Sequence, residues 1–415
     1  MNRSIDIIEA ATKWALFLFP IGLVTVEHWS SGFFIVLVLL GLFSLRKNLS
    51  LVKLQREEKI VILLFALLFF SFLLSATVNG WEYYHVRHIE DEIRFLLFAP
   101  IYLLVRRVDG VMKYLVQGSV LGIFVTFGVA LYETSVLGVG RATGAYSPLL
   151  LGPVVATMVF VVVNNLRLMD GSIFWRYLSL FALPLGGYAA YLSVSRSAYV
   201  LVVALSIITI LILVDRKSMR AVWVAVLISA VFLSHQFVPK ITQSVDRVAD
   251  GLSEIMDADS LATVNTGESG SSTKQRIVMW HAAYQIFSDN MLFGIGRGGY
   301  VDVIQGYVDS GRINPVAANH GHPHNIYAES LLSNGLVGVV ILLLLIIYLY
   351  YWAFRCLTNG LYATNGMIII VSSLFIAGMF EASLMIKGNY ISFNLVYLAV
   401  AIGAMVHDNS VKEKE

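Results

Sequence analysis

A single cysteine, Cys356, stands in 415 residues, so no intramolecular disulfide can form. Charge is scarce too. Asp, Glu, Lys and Arg make up 13% of the chain against 58% hydrophobic residues, which excludes an ordinary soluble globular protein. The net charge of +2 points to no charged partner class, and no nucleic acid is expected among the partners. The first apolar run opens near Trp14 and leads into further runs without an A-x-A-like site, so no cleavable signal peptide is expected. There is no convincing tandem repeat. Gly294, Gly296 and Gly299 lie in FGIGRGGY, a tight-turn composition rather than a GxGxxG inside a βαβ unit, and this excludes a dinucleotide site.

What the chain has is repeated apolar runs of spanning length, the mark of an all-α polytopic membrane protein. Twelve spans are expected, at roughly 13–29, 31–45, 59–78, 94–106, 112–134, 146–164, 176–193, 197–214, 220–236, 325–354, 364–384 and 388–406. The fourth is short and contains Pro100, and it reads as a broken or re-entrant piece. Three regions follow: spans one to nine over 1–236, one large loop over 237–324, and three spans with a short tail over 325–415. With twelve spans, eighteen Lys and Arg in short loops fall on the side of the termini and five on the other. Both termini are therefore expected in the cytoplasm and the large loop in the periplasm. Residues 258–272, ADSLATVNTGESGSS, have the composition of a mobile segment and are expected to act as part of a lid. From Thr273 to about Asn290 the pattern turns helical. Ile277, Trp280, Ala283, Tyr284 and Phe287 recur at three- and four-residue steps and predict a face laid on the membrane.

The chemistry-bearing stretch is His320 to Gly338, HGHPHNIYAESLLSNGLVG. Pro323 is placed to open a helix, which puts His324 in the first turn, where the positive helix end favours an anion and a neutral imidazole. A neutral imidazole is what a general base requires. His320, His322 and His324 have a spacing compatible with metal ligation on an extended segment. No obvious carboxylate partner for them lies in the same stretch, though folding could bring one, and no metal or cofactor is expected. Glu329 lies in the tenth span, and Glu133 and Glu381 lie near the outward ends of others; acids at such places are functional candidates or ion-pair partners. Asp257-Ala-Asp259 imitates a metal-binding DxD but sits in the flexible polar loop and is discounted. Arg196, in the short turn SVSRSAYV, Arg276, at the start of the loop helix, and Arg141, before the sixth span, share the outward face. Guanidinium groups suit a phosphate-bearing ligand, because they bind its oxygens in pairs and stay charged. The alternative for each is snorkelling to headgroups.

These motifs resemble a known family. His324-Asn325, nine residues, then Gly335-Leu336-Val337-Gly338 is similar to the signature of bacterial O-antigen ligases: His, then Asn, Ser or Gln, nine residues, Gly, two residues, then Gly, Thr or Tyr. The larger group includes O-antigen polymerases and protein O-oligosaccharyltransferases. Arg276-x3-Trp280-x2-Ala283-x3-Phe287 followed by Gly294 and Gly296, the SVSRSA around Arg196, and Arg141-x2-Gly144 also resemble family elements. Met291 stands where a proline is frequent, and Ser147-Pro148 where Asn-Pro is frequent. The short stretch after the last span fits a ligase or polymerase better than the longer oligosaccharyltransferases.

The resemblance implies a glycosyltransferase of the outer face of the inner membrane. Its donor would be an undecaprenyl-pyrophosphate-linked glycan and its acceptor a sugar hydroxyl of lipid A–core. His324 would be the base and Arg196 and Arg276 would hold the pyrophosphate. Arg141, His322, Asn325, Glu329 and Arg297 would support the site. A polymerase would share the donor. A flippase is disfavoured, because the charged motif residues cluster on one face instead of running through the membrane.

Overall fold

The computed structural model describes residues 3–48, 53–214, 272–357, 363–382 and 387–412, with 217, 219–224 and 227. Asp257-Ala-Asp259, nearly all of the expected lid segment and most of the expected ninth span lie outside the described residues. Thirteen α-helices and no strand are present among those described. They are α1 Arg3–Leu18, α2 Trp29–Asn48, α3 Arg56–Val78, α4 Tyr83–Val105, α5 Val111–Ser135, α6 Pro148–Asn164, α7 Ile173–Leu192, α8 Arg196–Leu213, α9 Ser272–Asp289, α10 Tyr300–Asp309, α11 Ile326–Leu357, α12 Ala363–Gly378 and α13 Gly388–Lys412. Six of them, α2, α3, α5, α8, α11 and α13, are long and apolar enough to cross a membrane, and α6 and α12 are shorter apolar helices. The chain is a polytopic helical membrane protein, as its composition predicts.

Two expected spans are drawn differently. The first was expected over 13–29, but α1 stops at Leu18 and the chain turns through 19–28. Pro20 cannot continue the amide ladder. The indole N–H of Trp29 folds back onto the freed carbonyls, 3.2 Å from Leu18 O and 3.1 Å from Phe19 O. The fourth was expected to be short and broken. Instead α4 starts at Tyr83 and runs through Pro100 without interruption. Its hold on α3 explains the tolerance: Phe65 stacks on Phe98 at 4.2 Å between ring centres, and Arg106 Nε lies 2.7 Å from Glu58 Oε1.

The loop elements form a second, smaller core. Val278, Ala282, Ile286, Ile295, Tyr300 and Leu332 close it against α11. The buried stripe of α9 runs through Lys274, Val278, Met279, Ala282, Ala283 and Ile286, while Tyr284, on the face expected to lie on the membrane, is 65% exposed.

The junction of the two cores is a break in α11. Gly335 has φ 62° and ψ −157°, a conformation essentially confined to glycine. The break frees backbone groups, and the turn after α9 satisfies them. Ile295 N donates to Leu332 O at 2.7 Å and Gly296 N to Ser333 O at 3.1 Å; Leu336 N donates to Met291 O at 2.8 Å and Val337 N to Leu292 O at 3.3 Å. Asn79, capping α3, adds a bond from Nδ2 to Gly294 O at 3.1 Å, and Ser75 Oγ lies 2.6 Å from both Phe293 O and Ser333 O. A Cβ at Gly335 would overlap the Leu292 carbonyl.

Gly335→Ala is therefore expected to cost about 1–3 kcal/mol in backbone strain alone, read as a lower melting temperature in detergent. Gly128→Ala on α5, where a Cβ meets nothing within 4 Å, should leave melting unchanged or raised. Equal melting of the two variants would show that the break is not a constraint.

Candidate functional site

The histidine segment enters α11 later than the sequence predicts. The helix opens at Ile326, so Pro323 is not its first residue and His324 lies ahead of the first turn, with φ 49°. Asn325 takes the cap because its side chain does what proline cannot: Oδ1 accepts from Tyr327 N at 2.9 Å and Ala328 N at 3.1 Å. Its Nδ2 donates to Met379 O at 3.1 Å, which ties the segment to the end of α12. On the other side, Trp280 Nε1 of α9 donates to Pro323 O at 2.9 Å. His324 is thus held between two elements that arrive from opposite ends of the sequence.

Its partner is Glu381, beyond α12. His324 Nδ1 lies 3.2 Å from Glu381 Oε2. A carboxylate accepts only, so the contact requires a proton on Nδ1, which in the neutral ring leaves Nε2 with its lone pair. Burial alone would raise the Glu381 carboxyl; His324, His322 and Arg276 outweigh it and hold it below its ordinary value. With the folded pKa depressed, this contact stabilises above the ordinary carboxylate range and is lost as pH falls through the folded value. His322 stacks 4.0 Å from His324 between ring centres, and its Nδ1 accepts from His324 N at 3.2 Å. Burial, with the His324 charge next, pushes His322 down to about 4. It is a neutral acceptor at physiological pH. His320 stands farther out, 6.2 Å from His324, and burial lowers it too.

The arginines approach the same place. Arg276 is lowered by burial and feels the charge of Glu381, so α9 carries its guanidinium towards the His–Glu pair. Arg196 opens α8, and its Nη1 donates to Thr273 Oγ1 at 2.8 Å. Thr273 is one helical turn before Arg276. Arg141 Nε donates to Ser193 O at 3.2 Å, within the turn that presents Arg196. These contacts link the α9 start, the Arg196 turn and Arg141 in sequence.

Glu329 and Arg297 do not face the open site. Arg297 is 2% exposed. Its Nη1 donates to Glu329 Oε1 at 2.8 Å, and its Nε lies 3.6 Å from Glu92 Oε1. Ser333 Oγ donates to Glu329 Oε1 at 3.0 Å. This buried triad underlies the break in α11 and joins α4 to the glycine turn. Glu92 was missed by sequence reasoning; its signal was an acid in a helix that runs into an apolar span. Glu133 is structural, accepting from Thr143 N at 2.7 Å and Gly144 N at 3.1 Å.

The fold also supplies the carboxylate that the histidine stretch lacks. His322, His324 and Glu381 each offer a ligand atom, all within 4.8 Å of one another. Two neutral imidazoles and a carboxylate are a donor set that suits Zn²⁺. The same three groups equally suit a base, its orienting carboxylate and a neutral acceptor.

Residues 180–343 match a family model described as O-Antigen ligase. A protein of Haemophilus influenzae, described only as uncharacterized, is 25% identical over 354 residues, 82% of this chain and 85% of that protein. The matched stretch holds Arg196, Arg276, Arg297, His324, Glu329 and the break at Gly335. It ties the chain to the O-antigen ligase and polymerase family and supports the resemblance carried by the histidine signature.

Arg297→Met leaves Glu92 and Glu329 buried without their cation. The expected loss is about 3–5 kcal/mol, measured by thermal unfolding of the purified variant. Unaltered melting would mean that the triad is not a structural tie.

Proposed function

We propose that this membrane glycosyltransferase is an O-antigen ligase. It would move a glycan from undecaprenyl pyrophosphate to a sugar hydroxyl of lipid A–core. The observation that carries the reading is the His324–Glu381 contact beside Arg276 and Arg196. Twelve spans, cytoplasmic termini and a site on the periplasmic face of the inner membrane are the arrangement that the Lys and Arg distribution favours.

The chemistry follows from the roles available. The acceptor hydroxyl loses its proton to Nε2 of His324, while Glu381 holds the Nδ1 proton and stabilises the imidazolium that forms. The acceptor oxygen bonds to the anomeric carbon as the bond from that carbon to the pyrophosphate oxygen breaks, which inverts configuration. Undecaprenyl pyrophosphate leaves with the bonding pair, and its added charge falls on Arg196 and Arg276. Charge-assisted bonds to such oxygens are worth about 1.5–3 kcal/mol each. Arginine can thereby take the part that a divalent cation plays in other glycosyltransferases.

His324→Ala should lower transfer by about 10²–10⁴-fold with the protein still inserted and folded; near-normal turnover would remove the base assignment. Glu381→Gln should lower kcat more than it changes KM, because the acceptor's proton has lost its electrostatic support. Excess chelator should leave transfer unchanged. Loss of activity on chelation, restored by Zn²⁺, would replace the base with a metal centre on His322, His324 and Glu381.

Arg196→Lys and Arg276→Lys keep charge but lose the paired donors. Each is expected to be clearly impaired at matched expression, whereas full activity in both would leave the arginines as headgroup contacts. The assay is purified protein with lipid-linked glycan and lipid A–core. Extension of a second lipid-linked glycan in place of lipid A–core would make the enzyme a polymerase.

A further inference from the structure

The buried triad holds more acid than it can neutralise. One guanidinium, Arg297, stands between two carboxyls, Glu92 and Glu329, and all three residues are buried. The two acids are not treated alike. Glu329 accepts from Nη1 of Arg297 at 2.8 Å and from the Ser333 hydroxyl at 3.0 Å. Glu92 has Nε of Arg297 at 3.6 Å, and its Oε2 is buried with no partner among the described residues. A full charge on Glu92 would face the like charge of Glu329 with its own solvation removed. Two carboxyls in that position do not both ionise readily, and the worse-solvated one keeps its proton.

Glu92 belongs to a seam. Positions 85, 88 and 92 share one face of α4, and the turn after α9 lies along it. A Cβ at Gly296 would overlap the His85 ring, one at Gly298 would press His88 at 3.1 Å, and Arg297 between them reaches Glu92. The charges that act on Glu92 are Arg297 from the turn, Glu329 from α11 and Asp91 beside it on α4. Asp91 itself lies 3.6 Å from His88 and 4.0 Å from Arg94. From α3, Ser75 and Asn79 meet the turn, and neither titrates. Helices α2 and α13 meet α4 at Arg94, through Ser31 and Ser392. Glu92 stands ahead of the apolar stretch 94–106 of its helix. Burial, opposed by Arg297, pushes its carboxyl up to about 7.

We propose that Glu92 is held as the neutral acid in the folded protein, which makes the seam between α4 and the turn a pH-sensitive lock. With the proton on, one arginine faces one carboxylate and the triad balances. When the proton passes to solvent, a net negative charge is left beneath the break in α11, and the seam loosens to hydrate it. The turn makes the bonds that fill the break, so the lock governs how firmly the loop domain is held to the bundle. The folded value lies above the ordinary 4.5. This contribution to stability is therefore complete below 4.5 and is lost as pH rises through about 7. Burial lowers His85, so its titration costs stability in the opposite sense, as pH falls, and the sign of the slope separates the two groups.

The test compares the full purified chain with Glu92→Gln, which keeps the size of the neutral acid and cannot ionise. In detergent, wild-type melting should fall by several degrees as pH rises through about 7. Glu92→Gln should hold its melting temperature there and exceed wild type on the alkaline side. At the same alkaline pH, the amides of Ile295 and Gly296 should exchange hydrogen faster in wild type than in Glu92→Gln. Midway between 4.5 and 7, wild type should show the infrared carbonyl band of a protonated carboxyl that the variant lacks. A variant that melts below wild type at every pH would make Glu92 a permanent carboxylate partner of Arg297 and overturn the proposal. The same alkaline fall in both chains would place the titration on another group and overturn it equally. Glycosyl transfer is not the readout, so the lock stands or falls apart from the catalytic reading.

Discussion

The structure depends on one backbone exchange: the break in α11 at Gly335 is filled by the turn Met291–Gly296. A helix interrupted inside a membrane protein leaves amides and carbonyls that no water can satisfy, and each would cost several kcal/mol if left bare. Here the turn supplies two donors and two acceptors to the break. Gly294, Gly296 and Gly335 all have positive φ, and a side chain at any of them would enter a neighbour. The break and the turn therefore have to form together, and their union fixes where the loop domain stands on the bundle.

The position of the site follows from that union. The turn carries Arg297 down onto Glu329 and Glu92, which buries the charge beneath the break and locks α4 to α11. Above the break, α9 crosses the first turns of α11 and meets the histidine segment through Trp280 and Pro323. Asn325 then caps the helix and reaches the end of α12, while Glu381 orients His324. Each of these contacts joins elements far apart in sequence. As the proposed base, His324 would have its ring held before any substrate arrives, which is the preorganisation that catalysis by proton transfer rewards.

Charge is divided between the two tiers. The buried tier sets one arginine between two carboxylates, with a serine donating to one of them. The outer tier carries three arginines: Arg276 feels the single carboxylate that His324 already engages, Arg196 reaches the α9 residue Thr273, and Arg141 is held against the Arg196 turn. A site of that balance attracts an anion with several oxygens. The neutral state of His322 matters here as well, since a second imidazolium beside His324 would oppose proton uptake by the base.

Much of this was legible in the chain before folding. Scarce charge and repeated apolar runs determine a helical membrane protein, because only helices and closed barrels satisfy their backbone in lipid. The spacing from His324 to Gly338 and the types of Arg196 and Arg276 marked the face proposed to react, and the glycines of FGIGRGGY marked a tight turn. What sequence could not determine was partnership. Glu381 was visible as an acid at a span's edge, yet nothing local pairs it with a histidine 57 positions away. Glu92 gave no motif at all. The start of α11 moved from Pro323 to Ile326 because the cap at Asn325 won, and which face of α9 is buried was decided by α11 and the second core. Composition and period are properties of one segment, so the sequence determines them alone. An ion pair, an orienting carboxylate and a break healed by a distant turn are properties of two segments, and only the tertiary fold brings both to the same place.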